Sequence, residues 1–314
     1  MNAPATGPTA ATLTYVYAVT PPAPVLDGLL PGLAGVAGSP VTLLTPPDGA
    51  VGAPVAFVVS DVPGADWAED VLKRRFEDLR WLEDTARAHH HVIETLAAHT
   101  TVLPLRMATL YQDRVRALRA LQRQGQEFAT QLAELSAHTE YGVKVYVRPG
   151  GAAPAGGTDS AGAAPAPAGP GRSYLRARRA QQDAREDHYR QARLAADRIA
   201  ELGRRCAARQ VHHPPQSGPL AAQSAAGAEG GENVLNDAFL VSDSQADAFR
   251  AGVLGAVEDL PGIHVEVTGP WAPYSFAAAP APEPDPATDP VTDPVGERAG
   301  DPAPGPPPAV PPVP

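Results

Sequence analysis

Apolar residues fall into short crowded runs in the first third of the chain and into long stripes after it. LTYVYAV (13–19) is rich in β-branched and aromatic residues with partial alternation, which predicts a strand. Leu26, Leu29, Leu30 and Leu33 recur at helical spacing and predict a short helix over 24–33, which Leu30-Pro31-Gly32-Leu33 ends as a turn. VTLLT (41–45) and VAFVVSDV (55–62) predict two more strands, joined by the turn residues of PPDG (46–49). A long stripe then runs through Trp67, Val71, Leu72, Phe76, Leu79, Leu82, Ala86, Ile93 and Leu96, predicting one helix from an N-cap at Asp66 to about His99. TVLPLRMATL (101–110) reads as a strand that Pro104 confines to an edge or a bulge, because proline has no N–H for the ladder.

Farther on, Val115, Leu118, Leu121, Phe128, Leu132 and Leu135 make one core-facing stripe of a helix over 112–137. YGVKVYV (141–147) alternates cleanly and predicts a strand. Ser173 to about Val211 predicts a highly charged helix, roughly 60 Å long if unbroken, with Gly203 the place for a break. LNDAFLVS (235–242) predicts a strand, 243–259 a helix and IHVEVTGPW (263–271) the last strand. Gly269 and Pro270 are expected to end its pairing, with Trp271, Tyr274 and Phe276 folding back.

The predicted order, βαββαβ and then a second set of helices and strands, gives an α+β fold in two domains. A ferredoxin-like domain spans 12–110 and a second α+β domain with long helices spans 111–276. Residues 1–11 read as a disordered leader. Flexible inserts are expected at 149–171 and 212–233, where no periodicity and almost no large side chain is present. From 277 to 314 the chain holds 14 prolines and reads as an extended, disordered Pro/Asp-rich tail.

Charge and composition narrow the function. The net charge is -10, but 277–314 carries six acids against one base, so the body is only mildly acidic. Nothing in that balance asks for nucleic acid or an anionic membrane. The lone Cys206 excludes an intramolecular disulfide and a cysteine metal cluster and fits a reducing cytosol. The N-terminus has no basic n-region followed by a long apolar run, so no signal peptide is expected, and no apolar stretch is long enough to span a bilayer. Lys73 and Lys144 are the only lysines. With Arg, Ala, Gly and Pro in excess, this points to a high-GC genome and lowers the weight of any arginine count.

Candidate chemistry is sparse. His89-His90-His91 places His90 and Glu94 at i,i+4, a spacing that puts two metal ligands on one helix face, yet adjacent residues fan out and HExxH is missing. The 172–209 stretch has eleven arginines against five interleaved acids, the pattern of a solvated helix with surface ion pairs. Its apolar seam of Tyr189, Ala192, Ala196, Ile199 and Cys206 suggests packing on a partner or on itself. Arg106 is a lone cation in an apolar strand, either turned to solvent or held by Glu140 or Asp113. There is no GxSxG, no P-loop and no GxGxxG after a strand, so no catalytic constellation, cofactor or metal is expected.

TYVYAV, the HHHVIE helix, TVLPLRMAT, EYGVKVYV, SYLRARR, LNDAFLV and TGPWAPYSF occur in one order over 13–276. That combination resembles the gas vesicle protein GvpL/GvpF family, with TVLPLR and TGPW-x-PYSF its most specific parts. Two departures stand out: the family usually has Phe-Gly at Met107-Ala108 and Pro at Ala272.

The resemblance implies a non-enzymatic accessory protein of gas vesicle assembly. It would be cytoplasmic and vesicle-associated, and would bind the small hydrophobic shell protein and other gas vesicle proteins. Two other readings stay open: a minor structural component of the mature shell, and a ferredoxin-like small-molecule-binding regulatory module. Protein-contact candidates are Trp271, Tyr274, Phe276, Arg106, Tyr189 and Ile199. Within the closing aromatics, Trp271 is expected to plug the core and Phe276 to face a partner.

Overall fold

The computed structural model describes residues 12–47, 54–148, 170–215 and 231–277. The expected leader, most of both inserts and all but the first residue of the expected tail lie outside them. The described residues belong to one compact unit that ends at Ala279.

Two antiparallel sheets carry the fold. The first contains β1 (Thr12–Thr20), β2 (Thr42–Leu44), β3 (Ala56–Pro63) and β4 (Leu103–Pro104) in the order β2-β3-β1-β4, with β5 (Leu110–Tyr111) also on β1. The second contains β6 (His138–Val147), β7 (Ala207–His212), β8 (Glu232–Ser242) and β9 (Ile263–Trp271) in the order β7-β8-β6-β9.

β1 is buried on both faces, which is why its alternation is only partial. A register shift between Val16 and Ala18 divides its side chains. Tyr15, Tyr17 and Ala18 pack with Leu26 of α1 (Pro24–Leu29), Trp67 of α2 (Gly64–Trp67), and Val92, Ile93 and Leu96 of α4 (Leu79–Ala97). Val16 and Val19 join Phe57 and Val59 against Leu121, Phe128 and Leu132 of α5 (Arg114–Leu135). Ala238 and Leu240 of β8 enter that same cluster, so the two sheets share a core through α5. A third cluster sets Tyr141, Val143 and Val145 of β6 against Ile199 of α6 (Pro170–Cys206) and Phe249 and Val253 of α7 (Ala246–Gly255).

Several boundaries differ from the sequence expectation. The single helix expected over 66–99 is three: α2, α3 (Glu69–Arg75) and α4. Ala68 is extended between the first two, and Asp78 starts the third by accepting the N–H groups of Arg80 and Trp81. Asp66 is therefore not the cap of the long helix; its carboxylate pairs with Arg75 at 2.6 Å. Along α5, Val115 is exposed, and Ala117 and Ala120 face the core instead. The helix expected over 243–259 contracts to α7 behind a short 3-10 turn.

The charged helix does not reach Val211. It stops at Cys206, and β7 follows at once, pairing Ala207 with Val241. A Cβ on Gly203 would sit 2.5 Å from the Phe239 ring, so glycine lets the helix end lie directly on β8. Pairing with β8 then overrides local propensity, and the same sheet takes up both ends of the insert expected at 212–233. Residues 170 and 171 likewise open α6 rather than close an insert.

Candidate functional site

The closing segment starts from a bulge. Gly142 pairs with Thr268, but the next paired position sets Glu140 opposite Trp271. Pairing therefore does not end at Gly269 and Pro270, as the sequence suggested; it skips them and resumes. Gly269 has φ +113, and a Cβ there would lie 2.8 Å from the Glu140 carbonyl oxygen, so the position requires glycine. The Gly269–Pro270 peptide is cis.

Beyond the bulge, two carboxylates hold the backbone. Ala272 N–H donates to Glu94 Oε1 of α4 at 3.0 Å. Ser275 donates its N–H (2.8 Å) and its hydroxyl (2.7 Å) to the two oxygens of Glu140. That leaves Ser275 Oγ to accept from His213 Nε2 at 3.1 Å. Burial pushes the Glu140 carboxyl above its ordinary range, and the two Ser275 hydrogen bonds pull it back.

The three aromatics take positions that reverse part of the expectation. Phe276 is 3% exposed and sits in the shared core, with the Arg209 guanidinium 5.4 Å from its ring centroid. Trp271 is 42% exposed, its indole 5.9 Å from the His90 ring. The reason lies in the anchors: the Glu140 and Glu94 bonds turn the chain after Trp271, so Ala272 and Phe276 point inward. Tyr274 lies between, stacked on His90 at 5.8 Å, with a hydrogen bond of 3.2 Å joining its hydroxyl and His90 Nδ1. Burial, and then the charges of Glu94 and Glu140, push the Tyr274 hydroxyl up.

The histidine run divides in three directions, as helical geometry demands. His91 is exposed, His90 meets the closing segment, and His89 is buried. His89 Nε2 donates to the Leu105 carbonyl at 3.2 Å, which fixes the tautomer, so Nδ1 accepts the Tyr15 hydroxyl at 2.8 Å. Tyr15 in turn accepts the Ala108 N–H at 3.1 Å. This chain of bonds clamps both ends of the Leu105–Ala108 loop onto β1 and α4. Burial is the main cause that lowers the His89 pKa to about 4.

Ala108 sits at φ 62, the left-handed region that favours glycine. An L-residue pays about 1–2 kcal/mol there. Ala108→Gly is expected to raise stability by about 1 kcal/mol, and a urea midpoint that stays put or falls would contradict it.

The remaining candidates separate. Arg106 is exposed, and among the described residues neither expected partner holds it: Asp113 caps α5 through Arg116 N–H, and Glu140 binds Ser275. Ile199 is fully buried against the second sheet and offers no contact surface. Most of the seam thus packs within the fold, with Ala192 buried and Cys206 against the third cluster. Tyr189 is half-buried and donates to Glu232 Oε2 at 2.6 Å, with Arg185 over its ring. On the charged face of α6, Arg190 pairs with Asp187, Arg204 with Glu201 and Arg198 with Asp259. What sequence reasoning missed was the use of Glu94 and Glu140 as anchors; the lone acid opening the apolar run EYGVKVYV was the available sign.

The comparisons agree on one kinship. The model of the family described as gas vesicle synthesis protein GvpL/GvpF matches residues 13–278. Gas vesicle protein L of Streptomyces sp. (strain CB03234) is 40% identical over 266 residues, covering 84% of this chain and 92% of that protein. The crystal structure of gas vesicle protein GvpF from Anabaena sp. PCC7120 superimposes with a TM-score of 0.54 at 16% identity, over 85% of this chain and 97% of that one. GvpF from Microcystis aeruginosa gives 0.53 at 17% identity, over 86% and 100%. At those identities the two structures speak for the fold.

Proposed function

Because this chain belongs to the GvpL/GvpF family of gas vesicle synthesis proteins, we propose that it is a non-enzymatic accessory protein of vesicle assembly that binds the hydrophobic shell protein and other gas vesicle proteins. The observation that carries this reading is Trp271: a large aromatic, 42% exposed, on a backbone pinned by two carboxylates. A rigid exposed tryptophan loses little entropy on binding and is the residue type most often found at the centre of a protein contact. Tyr274 supports its back through His90, and exposed Arg106 is a second contact candidate. The cytoplasmic, vesicle-associated location belongs to this reading; among the described residues no helix is long and apolar enough to cross a membrane.

We read the architecture as two α+β domains, 12–110 and 111–276, that share a core. The antiparallel order β2-β3-β1-β4, with helices between β1 and β2 and between β3 and β4, supports a ferredoxin-like first domain.

The test is co-purification of the tagged full chain from vesicle-forming cells. Trp271→Ala is expected to weaken capture of the shell protein more than tenfold, the effect of losing about 2 kcal/mol at a contact centre. The variant's stability should fall by only about 1 kcal/mol. Capture at the parent level by a folded variant would overturn the assignment. Flotation of the chain with purified vesicles would mark it as a shell component.

A further inference from the structure

A cleft of about 370 Å³ opens between the C-terminal end of α4, the start of β6 and the Pro270–Pro273 backbone. Its permanent side-chain charges have one sign. Glu94 and Asp243 stand on its walls, and none of the described residues lining it is lysine or arginine. Both α4 and α5 end in it, at Ala97 and at Leu135. The last carbonyls of a helix carry about half a negative charge at its C-terminus. His138 also lines it, its Nδ1 held by the Ser136 carbonyl at 2.8 Å.

The two carboxylates are only partly used within the fold. Glu94 Oε1 accepts Ala272 N–H, and Asp243 Oδ1 accepts the Thr139 hydroxyl at 2.9 Å. Among the described residues no hydrogen bond engages the second oxygen of either. The half-exposed Trp271 forms the rim and offers a π face, with the backbone on both sides of it fixed.

A cleft with acceptors, two negative helix ends, spare carboxylate oxygens and an indole rim is built for a cation. We propose that it binds a guanidinium group, presented by an arginine side chain of a protein partner. Guanidinium fits better than ammonium because it is planar, pairs with a carboxylate through two parallel N–H groups and stacks on indole. A protein is the favoured source because the rim residue is the exposed tryptophan, so an arginine entering the cleft brings its chain across Trp271.

The test uses the purified full chain and N-acetyl-arginine amide, with N-acetyl-citrulline amide as the neutral isostere and agmatine as a small free guanidinium. The readout is the indole N–H resonance of Trp271, assigned with Trp271→Phe. The arginine amide should shift it saturably, and the citrulline amide should not. Glu94→Gln and Asp243→Asn keep the oxygen that each fold contact uses, so both variants should fold; each is expected to weaken binding at least fivefold. Equal shifts from the citrulline amide, no saturable shift, or variants that bind like the parent would overturn the site. Binding of agmatine without binding of the capped arginine would overturn the protein partner. No vesicle protein enters this experiment, so its failure leaves the assembly reading untouched.

Discussion

Phe276→Ala is expected to lower the stability of the chain by about 3–5 kcal/mol. The ring is 3% exposed and packs in the cluster that contains Val16 and Leu103 of the first sheet, Leu121 and Phe128 of α5, and Leu240 of the second. Its neighbours come from strands and a helix already fixed by hydrogen bonds, so a cavity there has little freedom to collapse. The loss also removes the surface over which the Arg209 guanidinium rests. Because the site lies where both halves meet, unfolding should remain a single transition, with a lower urea midpoint and an unchanged m-value. A loss below about 1 kcal/mol would show that the closing segment peels away without disturbing the core. The contrast with Trp271→Ala makes the pair informative: one substitution strongly destabilises the fold, the other leaves a stable chain that binds poorly.

The sequence was most legible where periodicity decided the matter. β9 covers the expected 263–271, although its pairing skips Gly269 and Pro270, and α5 follows its leucine stripe to within two residues at each end. Legibility failed where a distant side chain decided. Asp78 splits the long helix because its carboxylate happens to meet two N–H groups, and Asp66, equally plausible, meets Arg75 instead. α6 yields to β7 because β8 offers a free edge, which no local window of charged residues reveals.

The candidate site was half legible. The aromatic density of VTGPWAPYSF marked the segment, but which ring turns inward depends on Glu94 and Glu140, distant in sequence from the rings they orient. The departure at Ala108 was visible as a missing glycine, and its physical meaning, a positive φ, came only with the backbone.

His89 should make the folded state sensitive to mild acid. Its ring is buried and neutral, donating to Leu105 and accepting from Tyr15, and its pKa is lowered from 6.5 to about 4, chiefly by burial and then by nearby His90. In the unfolded chain the same ring protonates near 6.5. Between those values the unfolded state binds the proton and the folded state does not, so stability must fall as pH falls from about 6.5 to about 4. The gap corresponds to a loss of about 3 kcal/mol across that window. Glu140 works the other way: its raised pKa lets the folded state take up a proton first, which stabilises the fold as pH falls toward the ordinary carboxyl range. Comparison with His89→Gln isolates the histidine, because Glu140 titrates in both proteins. The variant should be less stable than the parent at pH 7.5, having lost ring packing against Tyr15 and Tyr17. At pH 4.5 the difference should shrink by about 2–3 kcal/mol, since glutamine has no proton to gain. Urea midpoints measured across that range decide it, and parallel pH profiles for the two proteins would show that His89 is not the group that senses acid.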